Sequence, residues 1–77
     1  MNFGEALEHL KQGGSVLRGG WNGKAQFLRL CRRRPGGLMT ETYIYIHVVH
    51  PLHANEDTRT PWTASQPDML SEDWAKA

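Results

Sequence analysis

Four sets of residues in this 77-residue chain have types and spacings that could do chemistry. The stretch "HVVHPLH" sets His47, His50 and His53 three apart. On a strand His47 and His50 point to opposite faces. Pro51 then breaks the path, and zinc would want a fourth ligand, with Cys31 distant in sequence. Exposed loop histidines are the better reading, and no metal is expected. The second set is hydrolytic. None of Ser15, Ser65 and Ser71 sits in a nucleophile elbow. Asp68, Glu72 and Asp73 could supply general acid or base groups, and on a helix Asp68 and Glu72 share a face at i and i+4. Acidic residues in a first turn are explained more simply as caps and partners of the helix dipole. The chain is read as non-catalytic and without a cofactor.

The third set is "RGGWNGKAQF", residues 18–27. Gly19, Gly20 and Gly23 free the backbone to approach an anion closely, and successive N–H groups in such a turn can form a nest. Lys24 adds a point charge. Trp21, at the mouth of a bend, offers a flat π face on which a purine could stack, worth roughly 1–3 kcal/mol by analogy with base stacking. Trp62, next to Pro61 and just ahead of a second capping residue, Ser65, is another such plate. The plain alternative is that Trp21 packs across a hairpin and Trp62 plugs the core. The fourth set is Arg29, Arg32, Arg33 and Arg34 beside Tyr43 and Tyr45. Basic grooves with stacking rings bind single strands. The pI near 8.0 and an acidic second half fall short of the usual basic footprint, so nucleic acid is not the expected partner.

These residues need elements to hold them. In "NFGEALEHLKQGG", Phe3, Ala6, Leu7 and Leu10 make one stripe of a 3.6-residue period, which predicts an amphipathic helix. Asn2 and Glu5 form a capping box, and Gly13 or Gly14 supplies the left-handed exit. Residues 15–18 and 26–31 read as an antiparallel hairpin, because Asn22-Gly23 suits a tight turn with positive φ. Phe27, Arg29 and Cys31 should lie on one side of the second strand and Leu28 and Leu30 on the other. Residues 32–37, "RRRPGG", form a loop. "TYIYIHVV" is the clearest strand, with Ile44, Ile46 and Val48 opposite Tyr43, Tyr45, His47 and Val49. Residues 50–61 read as a polar connection. Ser65 and Asp68 cap a final helix from about Gln66 to Trp74, with Met69, Leu70 and Trp74 as its apolar contacts. The expected class is α+β: an N-terminal helix, a small antiparallel sheet with an Asn-Gly hairpin, and a short C-terminal helix, in one domain over residues 1–77.

A domain of this size buries only about 60% of the surface its unfolded chain exposes. Such scaffolds need a staple. Cys31 is alone, so no internal disulfide can form, and a lone thiol suits a reducing cytosol. No apolar run is long enough to span a membrane. Self-association is the remaining staple. Charge is uneven: residues 1–40 carry seven Lys/Arg against two acids, and residues 41–77 carry two against six. Such asymmetry favours an anionic partner or head-to-tail pairing of subunits, unless both halves are simply solvated faces.

The stretches "MNFGEALEHLKQG", "RGGWNGK", "FL" at 27–28 and "PWTASQPDMLSEDW" together resemble a family of small phage proteins, the second type of Thoeris anti-defence protein. The match covers roughly half of the chain, in order and at both ends. The resemblance implies a sponge: a protein that binds a cyclic ADP-ribose isomer made by the Thoeris TIR-domain enzyme, and for some relatives cyclic dinucleotides, without cleaving it. It also implies a homotetramer with pockets between subunits, acting in the cytoplasm of the bacterial host. Carried over, Trp21 and Trp62 would flank the adenine or ribose. Asn22, Gly23 and Lys24 would meet the ribose and pyrophosphate. Ser65, Gln66 and Asp68 would hydrogen-bond ribose hydroxyls or hold Trp62. Gln26 and Pro67 depart from the usual residues, and residues 31–60 do not match closely. The alternative from another class is a small phage nucleic-acid-binding or virion-associated protein using the Arg29–Arg34 patch. A third is a hydrolase of the same nucleotides.

Overall fold

A computed structural model of the protein describes residues 1–21 and 25–77. The first helix, α1, runs Phe3–Lys11. Asn2, extended at φ −78° and ψ 174°, caps it. Its side chain accepts from the Glu5 N–H at 2.8 Å, and the Glu5 carboxylate accepts from the Asn2 N–H at 2.9 Å. Two of the orphan donors of the first turn are thereby satisfied, as the spacing predicts. Past the Gln12 cap, Gly13 takes φ +94°, which only glycine adopts without strain. Of the apolar stripe, Ala6 and Leu10 are buried and Phe3 and Leu7 half-buried.

Five strands follow: β1 (Val16–Arg18), β2 (Gln26–Cys31), β3 (Tyr43–Val48), β4 (Thr58–Pro61) and β5 (Trp74–Lys76), with a second helix, α2 (Gln66–Leu70), between the last two. The sheet order is β4-β3-β2-β1-β5, and every neighbouring pair is antiparallel. Leu28 sits opposite both Val16 and Ile46, and Leu30 opposite Ile44. These side chains share the face on which α1 lies. The buried cluster there is Ala6, Leu10, Val16, Leu28 and Trp74, flanked by Leu30, Ile44 and Ile46. The protein is thus α+β, with strand faces in the order the alternation predicts. Among the described residues, no helix is long and apolar enough to cross a membrane.

Two features differ from the sequence reading. Residues 50–61 are not one polar connection. A 3₁₀ turn at Ala54–Glu56 leads into β4, which pairs Thr60 with Ile46 and Thr58 with Val48. All four residues of β4 are exposed, so this edge strand shows no apolar alternation, and Pro61 is tolerated at its end. The C-terminal helix is shorter than predicted. Ser71 is already extended at ψ 153°, and Trp74 begins β5 opposite Arg18. A helical Trp74 would leave the edge of β1 unpaired. The strand instead closes the sheet and drops the largest side chain into the core, at 2% exposure. β1 and β2 pair antiparallel as expected, and a 3₁₀ turn, Gly19–Trp21, follows β1. The two strands end and begin where the sequence places them. The Asn22-Gly23 turn itself lies outside the described residues.

Candidate functional site

The turn carrying Trp21 is fastened to the far end of the chain. The Gly19 N–H donates to the Asp73 carbonyl at 2.9 Å, and the Gly20 N–H to Asp73 Oδ2 at 2.9 Å. A Cβ on Gly20 would stand 3.2 Å from that carboxylate oxygen. The glycine therefore serves a close approach of backbone to an anion, but the anion is the protein's own. Arg18 completes the clasp. Its Nε donates to Asp73 Oδ1 at 3.0 Å, and its Nη1 to Asp68 Oδ1 at 2.9 Å. Asp68 Oδ2 in turn accepts from the Ser65 hydroxyl at 2.8 Å and the Ser65 N–H at 3.0 Å. The Asp68 N–H returns a bond to Ser65 Oγ at 3.2 Å. This is the capping box of α2, so one guanidinium ties β1 to the start of α2 and to the entry of β5.

The electrostatics follow from these contacts. The Arg18 guanidinium and the Gly20 N–H hold the Asp73 carboxyl below its ordinary value. Burial pushes Asp68 up, but the Ser65 backbone and hydroxyl and Arg18 together outweigh it and leave the carboxyl lowered. Arg18 is raised, first by Asp73 and then by Asp68. Both carboxylates are ionised and hydrogen-bonded near neutral pH, which makes them poor general acids.

Three tryptophans and a phenylalanine gather beside this clasp. Trp74 is the buried one, and its Nε1–H donates to the Asp68 carbonyl at 2.9 Å. Trp21 meets it edge-on, centroids 5.7 Å apart and planes at 78°. Trp62 does the same at 6.0 Å and 87° and leans on Phe3 at 6.2 Å. Trp21 and Trp62 are each half-buried. The Trp62 N–H extends the β3–β4 ladder by donating to the Ile44 carbonyl at 3.0 Å. Each indole therefore has an edge anchored in the core and part of its surface open to solvent. The core partner of Trp21 is Trp74 of β5, on the side of β1 away from its hairpin partner β2, and Trp62 flanks the core without filling it.

Of the residues singled out from sequence, Trp21, Trp62, Ser65 and Asp68 are brought to one side of the molecule. Gln66, the first residue of α2, is exposed. Asn22, Gly23 and Lys24 lie outside the described residues. Both carboxylate oxygens of Asp68 are engaged internally, so its visible work is to hold the clasp. The sequence offers Asp73 only as an acid or base and Trp74 only as a helix contact, and it does not single out Arg18. The Asp-Trp at 73–74 was visible as a motif, but its link to Arg18 requires the β1–β5 pairing. The histidines are engaged elsewhere. His47 Nε2 lies 3.0 Å from Asp57 Oδ2, and the His50 Nδ1 accepts from the N–H groups of Leu52 and His53. Among the described residues, no group of three or more His, Cys, Asp or Glu side chains is arranged to hold a metal ion.

Fold and site together define a small α+β protein whose N- and C-terminal segments jointly build an ion-paired, tryptophan-lined corner. Its sequence matches the Thoeris anti-defense 2-like domain over residues 1–76. It is 39% identical to Thoeris anti-defense 2 of Bacillus phage SP01 over 83 aligned positions, which cover 96% of this chain and 91% of that protein. The chain belongs to the Thoeris anti-defense 2-like family.

Proposed function

We propose that the chain is a phage anti-defence protein that binds and sequesters a cyclic ADP-ribose-type signalling nucleotide, and so blocks Thoeris defence in the host cytoplasm. The family relationship supports the anti-defence role. The observation that carries the binding reading is Trp21: a half-exposed indole, braced on Trp74, at the end of a glycine turn that Asp73 and Arg18 hold in place. A braced ring can stack on a purine without first losing much freedom of its own. Lys24 and the Asn22-Gly23 segment supply the ribose and pyrophosphate contacts, and Trp62 is the second plate. Cyclic dinucleotides share the same base and phosphate chemistry. Capture needs no bond to break, and the carboxylates of this corner are tied up in ion pairs. The working unit is a homotetramer with the pocket completed by a neighbouring subunit, which would supplement so small a core.

The distinguishing experiment is recovery of the ligand. The protein is mixed with a cyclic ADP-ribose isomer, washed, heat-denatured, and the supernatant analysed by mass spectrometry. A sponge returns the nucleotide intact. Linear or hydrolysed products would make the protein a hydrolase, and an empty supernatant for every isomer and cyclic dinucleotide tried would remove the reading.

A further inference from the structure

The helices occupy one face of the sheet and leave the other bare. On the bare face the register sets Phe27 opposite His47 and His47 opposite Arg59. In the next row Arg29 stands opposite Tyr45, and at the strand ends Cys31 stands opposite Tyr43. The Phe27 and His47 rings are 4.8 Å apart. Tyr43 and Tyr45, both half-buried, open onto a groove of about 100 Å³ whose outer wall is Arg59, Thr60 and Pro61 of the edge strand. Strands β2, β3 and β4 contain no aspartate or glutamate. The exposed run Arg32–Arg34 leaves β2 at the Tyr43 end.

We propose that this face is a second binding surface, for single-stranded nucleic acid. Bases stack on Tyr43 and Tyr45, and Arg59, Arg33 and Arg34 take the phosphates, while Arg29 and Arg32 donate to the Gly13 and Lys11 carbonyls at the end of α1. An antiparallel sheet with helices behind it and aromatic rings on its open face is a proven platform for unpaired bases. Whole-chain charge argues against nucleic acid only while the acids are unplaced. Asp68 and Asp73 hold Arg18 on the helix-bearing face, whereas Asp57 sits at the bare face, hydrogen-bonded to His47. Against Asp57 this face sets Arg59 and, at its end, Arg33 and Arg34, so its balance is cationic. The same charge disfavours a second copy as the occupant, because two such faces would bring together more arginines than the Asp57 carboxylates offset. The surface lies across the sheet from Trp21, so it stands or falls independently of the nucleotide pocket.

The test is fluorescence anisotropy of a labelled oligothymidylate of about 12 nucleotides and of a duplex of equal length, at about 50 and 200 mM salt. The intact protein should bind the single strand more tightly than the duplex, and more weakly as salt rises. Tyr45→Ala should weaken binding roughly tenfold or more. Arg59→Glu, at an exposed position, should weaken it and flatten the salt dependence while circular dichroism stays unchanged. The proposal is overturned by no binding at low salt, by equal affinity for duplex, or by a Tyr45→Ala variant of unchanged affinity. It is also overturned if the intact protein is inert and Arg59→Glu converts a larger species to a smaller one, which would mean a second copy covers the face.

Discussion

Trp21 and Trp74 are the same side chain put to opposite uses. Trp74 is 2% exposed and fills the core between α1 and β1. Trp74→Ala should cost about 3–5 kcal/mol, most of a small domain's stability, and show as a collapsed denaturation midpoint. Trp21 is half-buried and loses mainly one edge contact, worth about 0.5–1.5 kcal/mol beyond its partial burial. Trp21→Ala should therefore stay folded, with a small shift in urea midpoint and an unchanged slope. The clasp beneath it makes a local prediction. Asp73→Asn removes a charge partner of Arg18 and weakens the acceptor of the Gly20 N–H. The Gly20 amide should then exchange with solvent markedly faster, while core amides such as Leu28 keep their protection.

At the scale of elements, α2 is five residues long and depends on its cap. Ser65→Ala removes the hydroxyl that accepts from the Asp68 N–H. It should cost about 1 kcal/mol, read as a fall in Tm of roughly 4–8 °C for a domain of this length. Capping chemistry was also what made this helix legible from sequence, just as Asn2 and Glu5 announced α1. Its end was not legible. Met69, Leu70 and Trp74 suit a helix in spacing, and only the unpaired edge of β1 decides that Trp74 belongs to a strand. The strands divide the same way. Val-, Ile- and Tyr-rich β3 alternates against a core on one side and could be read directly. Thr58–Pro61 is an edge strand with every residue exposed, so burial left no period in its sequence. The site inherits both outcomes. Trp21 and Trp62 stand out by type, whereas the Arg18 link to Asp68 and Asp73 spans some fifty residues and exists only once β5 is in place.

For the whole molecule, stability should follow its ion-paired acids. Asp57, Asp68 and Asp73 all have carboxyls held below their ordinary values in the folded state. A lowered folded value means stabilisation that is fully present above the ordinary carboxylate range and is lost as pH falls through the folded values. The urea midpoint should be flat from neutral pH to about pH 5 and drop below about pH 4. If the working unit is a tetramer, Tm should also rise with protein concentration, since association stabilises only the folded chains.

The central claim is that Trp21 is braced by the core in order to hold a planar nucleotide. Calorimetric titration of the intact protein and of Trp21→Ala with a panel of cyclic ADP-ribose isomers and cyclic dinucleotides tests it most directly. The account predicts tight binding of at least one member by the intact protein, and loss of that binding by a variant whose circular dichroism is unchanged. A folded Trp21→Ala that binds the same nucleotide with the same affinity would contradict it.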